Sequence, residues 1–253
     1  MFHLFTITIA IFLYLSVPFS AFADEWKNQV DAESGLLWQA KNAFQIPNDS
    51  RGTRLDLSDI EKGPFFVNRF SFTRTIGGPH KLRLLVAPLS LKFSHVLQND
   101  LLFQEKLFER SELLSIDYKF NSYRLSYLYT IKHNENWSWH IGATLKVRDA
   151  KIAVRGRGIS VAKKNIGLVP LVKFGLVFTP SSSKRFTLEL DGDALAAPQG
   201  RAEDLAIKVN YWTLHQQGAL YLGYRVLEGG ADNKDVYTFS LFHYLIAGLK
   251  LDF

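Results

Sequence analysis

The chain has 253 residues, 47% of them hydrophobic, with no cysteine and a formal net charge of +6. That length suits one large β domain or two small ones, and the missing thiols exclude disulfides and thiolate metal sites, as expected of an exported chain that folds without oxidation. The modest positive charge favours anionic neighbours, but no recognition-helix pattern or zinc-finger spacing accompanies it, so no nucleic-acid partner is expected.

The N-terminus reads MFHLFTITIAIFLYLSVPFSAFADEW. An apolar run over 4–17, then Pro18 and the small-x-small site Ala21-Phe22-Ala23, predicts a secretory signal peptide over 1–23, cut before Asp24. The run is preceded by His3 but by no Lys or Arg, which leaves an uncleaved anchor as the alternative. Beyond Asp24 no run of eighteen apolar residues occurs, so no later helix can span a bilayer and any insertion must use strands. Residues 24–253 are expected to form one domain.

That domain shows about ten segments of period-two alternation, at 35–45, 65–76, 81–93, 114–131, 137–150, 164–179, 185–195, 202–212, 218–227 and 236–253. Breaker-rich turns at 77–80, 132–136, 180–184 and 213–217 alternate with longer connections at 46–64, 94–113, 151–163, 196–201 and 228–235. All the tight turns therefore fall at one end of the strands. Faces can be assigned by parity: Tyr123, Leu125, Tyr127, Tyr129 and Ile131 stand against Ser122, Arg124, Ser126 and Thr130, and Trp137, Trp139, Ile141, Ala143 and Leu145 against Ser138, His140, Gly142, Thr144 and Lys146. Counting back in twos from Phe253 gives Leu251, Leu249, Ala247 and Leu245, over a strand longer than most soluble ones. Long strands with one apolar, aromatic-edged face, one polar face and short turns on one side predict an all-β fold. It is a closed, antiparallel, up-and-down transmembrane barrel of about ten strands, since closure gives every backbone group in lipid a partner.

From about Ser34 to Phe253 the sequence resembles the outer-membrane β-barrel proteins of Gram-negative bacteria, in which a terminal Phe preceded by alternating apolar residues is the usual signal for the barrel-assembly machinery. Phe253, Leu251 and Leu249 would form that signal. KFNSYRLSY, LDGDALAAPQGRAEDLA and YRVLEGGADN resemble segments of a group of small, uncharacterised barrels of this kind, a likeness that implies no activity. The resemblance implies an outer-membrane location, outer-membrane lipid as surroundings and outward-facing long connections.

Small outer-membrane barrels that hydrolyse lipid pair a His with a Ser two residues on; no His-x-Ser occurs here, only the reverse, Ser138-Trp139-His140. Barrel proteases of the omptin type use paired carboxylates and an Asp-His pair, and no Asp-His dipeptide occurs either. Carboxylates do gather toward the expected outer end: Asp191, Asp193, Glu203, Asp204, Glu228, Asp232 and Asp235, with Arg201 and Arg225 nearby. They read first as a salt-bridge network, next as a divalent-cation site without EF-hand spacing, and last as a hydrolytic centre built on Asp191, Asp193, Glu228 and Asp232. His243 is expected to face lipid as a structural residue, and the histidines form no metal set; no cofactor is expected. The basic segment carrying Arg155, Arg157, Lys163 and Lys164 would either bind lipopolysaccharide phosphates or form solvated surface. Parity sends Arg69, Arg83, Arg124, Arg148, Lys208, Arg225, Glu189, Asp191 and Asp193 into the lumen, with Lys146, Lys173 and Asp204. A ten-stranded lumen lined by such chains should be mostly plugged by ion pairs, with any narrow gap anion-preferring. The expectation is a non-enzymatic envelope protein contacting lipopolysaccharide or an external ligand, with an outer-membrane hydrolase as the alternative.

Overall fold

The computed structural model describes residues 27–132, 134–183, 185–197, 200–213 and 217–253; the expected signal peptide over 1–23, His133 and His215 lie outside them. The strands are β1 (Asn28–Gln45), β2 (Leu55–Asp56), β3 (Phe65–Thr75), β4 (His80–Ala87), β5 (Ser90–Val96), β6 (Leu101–Phe103), β7 (Lys106–Phe108), β8 (Leu113–Lys132), β9 (Trp137–Gly156), β10 (Ile159–Phe178), β11 (Phe186–Ala197), β12 (Gly200–Trp212), β13 (Gly218–Asp232) and β14 (Tyr237–Asp252).

Each wall strand pairs antiparallel with its sequence neighbour, and β14 pairs β1 from Gln29↔Asp252 up to Gln45↔Tyr237, which closes the sheet into a ten-stranded barrel. One register shift interrupts that seam between Gln39 and Lys41, so Ala40 is an extra, bulged residue. Alternation follows the expected parity. On β8, Ser122, Arg124 and Ser126 are buried while Tyr123, Leu125 and Tyr127 are exposed. On β14, Phe242, Tyr244, Ile246 and Lys250 point in while Leu245, Leu249 and Leu251 point out. Because the polar groups are inside and the apolar ones outside, the outer band is the surface that lipid covers. No helix among the described residues is long and apolar enough to cross a membrane; the strands cross instead.

Three segments differ from the sequence reading. β1 begins at Asn28 instead of 35, because Asp31 and Glu33 form a polar inward face that composition alone marks as loop. The third wall strand is broken into β4 and β5 at Pro88-Leu89, both halves pairing with β8. Proline has no N–H for the ladder, and the Leu89 N–H donates sideways to Asn121 Oδ1 at 3.0 Å. The connections expected over 151–163, 196–201 and 228–235 are largely strand. β9 and β10 run on past the lipid band and meet at Arg157-Gly158, whose φ angles of 32° and 80° fit the two-residue turn that matches strand twist.

Among the described residues the first two outward connections are the long loops, and they fold over the mouth. The Gln104 N–H donates to the Ile46 carbonyl at 2.9 Å and the Leu102 N–H to Thr53 Oγ1 at 3.0 Å, tying the two loops together. Beneath them Phe44, Leu57, Leu101, Phe103, Phe108, Leu114, Ile116 and Val154 are fully buried, with Phe44 and Phe103 edge to face at 5.4 Å. The outer part of the barrel therefore has an ordinary apolar core, stabilised by burial as in a soluble protein.

Candidate functional site

Below that core the lumen is filled by charge. Glu33 receives Arg225 at 2.9 Å, Lys208 at 3.1 Å and Arg69 at 3.5 Å. Asp204 receives Arg225 at 2.5 Å, Arg124 at 2.7 Å and Arg69 at 3.0 Å. Asp193 accepts from Arg124 at 2.8 Å, Lys173 at 3.2 Å and Thr144 Oγ1 at 2.6 Å, and Asp191 pairs with Lys173 at 2.9 Å and Arg83 at 3.0 Å. Lys250 pairs with Glu189, and Tyr221 Oη donates to Asp31 at 2.7 Å beneath the Lys208 ammonium. All ten wall strands contribute a group to this belt. Desolvating so many ions is costly unless each is paired and hydrogen-bonded, and here Arg124, Asp204 and Arg225 are each at least 95% buried with their charged ends satisfied.

The lumen residues singled out from sequence join the belt with two exceptions, Lys146, whose ammonium lies over the Phe120 ring, and Arg148. Arg148 donates to Asn165 Oδ1 at 2.5 Å and meets no carboxylate among the described residues. Asp31, Glu33 and Lys250 were missed. The alternation Val30, Asp31, Ala32, Glu33, Ser34 was the signal that could have found the first two.

The four carboxylates of the hydrolytic reading do not assemble. Asp191 and Asp193 are locked to bases within the membrane-embedded lumen, Asp191 facing a cavity of about 550 Å³ at the short-turn end. Glu228 pairs outside with Arg201, and Asp232 accepts from Asn48 Nδ2 at 2.8 Å. His140 Nδ1 contacts Thr130 Oγ1 at 3.1 Å, with no bond to Ser138. His243 faces lipid as expected, without a bulge in β14, and is satisfied by the Tyr224 hydroxyl at 2.6 Å. No group of three potential metal ligands occurs among the described residues.

The basic segment is divided between surfaces. Arg155 is bound to Asp117 at 2.8 Å and Arg157 to Glu109 at 3.4 Å. Lys163 lies across from Ile152 and points inward, while Lys164 lies across from Lys151 and points outward. Lys151 in turn pairs in register with Lys119. Three lysines thus stand side by side on β8, β9 and β10, immediately above the lipid-facing Ile166 and Leu168. Asp149 forms its ion pair with Lys119, at 2.7 Å.

No family model matches this sequence, and no curated protein matches it. Among solved structures the chain is similar to the outer membrane protease OmpT from Escherichia coli, with a TM-score of 0.53 at 10% identity over 92% of this chain and 100% of that one. It is also similar to Ail, the attachment invasion locus protein of Yersinia pestis, with a TM-score of 0.40 at 12% identity over 91% of this chain and 100% of that one. At such identities the likeness concerns the fold alone. The likeness to the OmpT structure, with the inside-out closed barrel, gives the chain the fold of an outer-membrane β-barrel protein.

Proposed function

We propose that this protein is a non-enzymatic, non-conducting outer-membrane barrel whose outer half is a binding surface. Lipopolysaccharide phosphates engage the lysine row of Lys119, Lys151 and Lys164. The carrying observation is the ion-pair belt, to which every wall strand contributes and in which the central charges are buried and paired. A channel needs free polar lining and water, and the central charges of this lumen are spent on each other. The lysine row supports the second half, because three in-register cations with one acid between them stand directly outward of the exposed apolar Ile166 and Leu168.

Planar-bilayer recordings of the refolded barrel are expected to be silent at high salt. Reproducible single-channel steps from a verified barrel would end the non-conducting reading. Separately, K119Q/K151Q/K164Q should weaken lipopolysaccharide binding about tenfold, with most of the loss vanishing at high salt. Binding that ignores the substitution would leave the row as solvated surface.

A further inference from the structure

Between the belt and the outer rim lies a second cavity, of about 390 Å³, bordered by Ile46, Tyr118 and Ile152 of the apolar core. Its lining reaches Gly200 and Asn233, at the tips of the β11–β12 and β13–β14 hairpins, so it faces the outer side. None of its described lining residues is Asp or Glu. Lys146, Arg148, Asn165 and Lys163 all reach it from the inward faces of β9 and β10.

Lys146 is the telling residue. It is 96% buried, its ammonium lies 4.9 Å from the centre of the Phe120 ring, and it has no hydrogen-bond or ion-pair partner among the described residues. The Nε of Arg148 is likewise buried without a partner. Elsewhere in this lumen the central cations meet carboxylates; the nearest acid below, Asp204, already serves three arginines. A buried ammonium beside a half-buried guanidinium, with no carboxylate lining the cavity, is a ready receptor for an anion. The opposite wall is small: Gly229 faces Phe120, and a Cβ there would lie 3.8 Å from the ring, in ordinary van der Waals contact, so a larger side chain would occupy the cavity. Phe120, Ile152 and Val169 supply an apolar flank.

We infer that this cavity binds a small soluble phosphate monoester, its dianion held by Lys146, Arg148 and Lys163 and its apolar body against Phe120. With the belt as floor, the ligand enters and leaves from the outside. The source is a free solute and not a lipid phosphate, because the barrel wall separates the cavity from the bilayer.

The test uses phenyl phosphate as probe and the full barrel in a phosphorus-free detergent, following the phosphorus-31 resonance. Saturable broadening is expected with the unaltered protein, and Lys146→Met should weaken it by about tenfold or more, as loss of one charge-assisted contact requires. Lys146→Met strands no carboxylate, so the barrel should fold, as checked by its heat-dependent gel mobility. Gly229→Leu, which fills the cavity and leaves every charge in place, should abolish binding as well. Neither substitution should alter lipopolysaccharide binding. Absence of saturable broadening at millimolar probe, indifference to both substitutions, or displacement of the probe by added lipopolysaccharide would each overturn the assignment.

Discussion

Replacing Asp204 by Ala is expected to cost about 3–5 kcal/mol of barrel stability, the range found when one partner of a buried ion pair is removed. The position merits the upper part of that range. A single carboxylate here accepts from Arg69, Arg124 and Arg225, and all three guanidinium groups are buried with it. Asp193 and Glu33 can each compensate part of the excess charge, since Arg124 also binds Asp193 and Arg225 also binds Glu33. Arg69 has only the 3.5 Å contact with Glu33 to fall back on. Urea unfolding followed by tryptophan fluorescence and gel mobility measures the loss, and a change below about 1 kcal/mol would mean that water already screens the belt. Combining Asp204→Ala with Arg124→Met should recover part of the deficit, because the pair is coupled and the second substitution removes one stranded charge.

The second large effect belongs to the lipid face. Val172→Arg should cost about 2–4 kcal/mol, whereas Ile166→Arg on the same strand should cost only about 0–1 kcal/mol, because the penalty for a cation falls with distance from the bilayer midplane. Val172 is exposed, midway along β10 between Phe178 at one edge of the apolar band and Lys164 at the other. Ile166 is also exposed but lies one outward position from Lys164, so an arginine there can raise its head to the same level. Equal costs at the two sites would put the band's upper edge elsewhere and would remove the lysine row from the headgroup level.

How much of this was legible in the sequence depended on whether the information is local. Strand identity and facing were readable because alternation is a property of consecutive residues: Tyr123 to Ile131 and Leu245 to Leu251 are exposed as their parity requires. The break at Pro88 and the tight turn at Arg157-Gly158 also had local signals, a residue without an N–H and a Gly suited to positive φ. Partnerships were not readable. Whether Arg124 meets Asp204 or Glu228 depends on the summed registers of the strands between them, and a change of one residue in any hairpin would re-aim the side chain. The basic segment shows the same limit. Its residues are contiguous in sequence, yet the extension of β9 and β10 sends Lys163 into the barrel and Lys164 out of it. Composition saw one patch where the pleat makes two.

The distribution of charge along the chain has a bearing on the order in which the barrel can be completed. Glu33 belongs to the first wall strand, while two of its partners, Lys208 and Arg225, arrive on β12 and β13, and the third, Arg69, is on the neighbouring β3. An open sheet with β1 and β14 still apart would leave Arg225 and Lys208 short of acid at one edge and Glu33 short of base at the other. Joining the two edges therefore cancels opposite charges and aligns backbone ladders in the same event. A strand arriving one residue out of step would bring Ala32 or Ser34 to the place of Glu33. The belt that fills the lumen of the finished molecule would also favour the register in which its edges close.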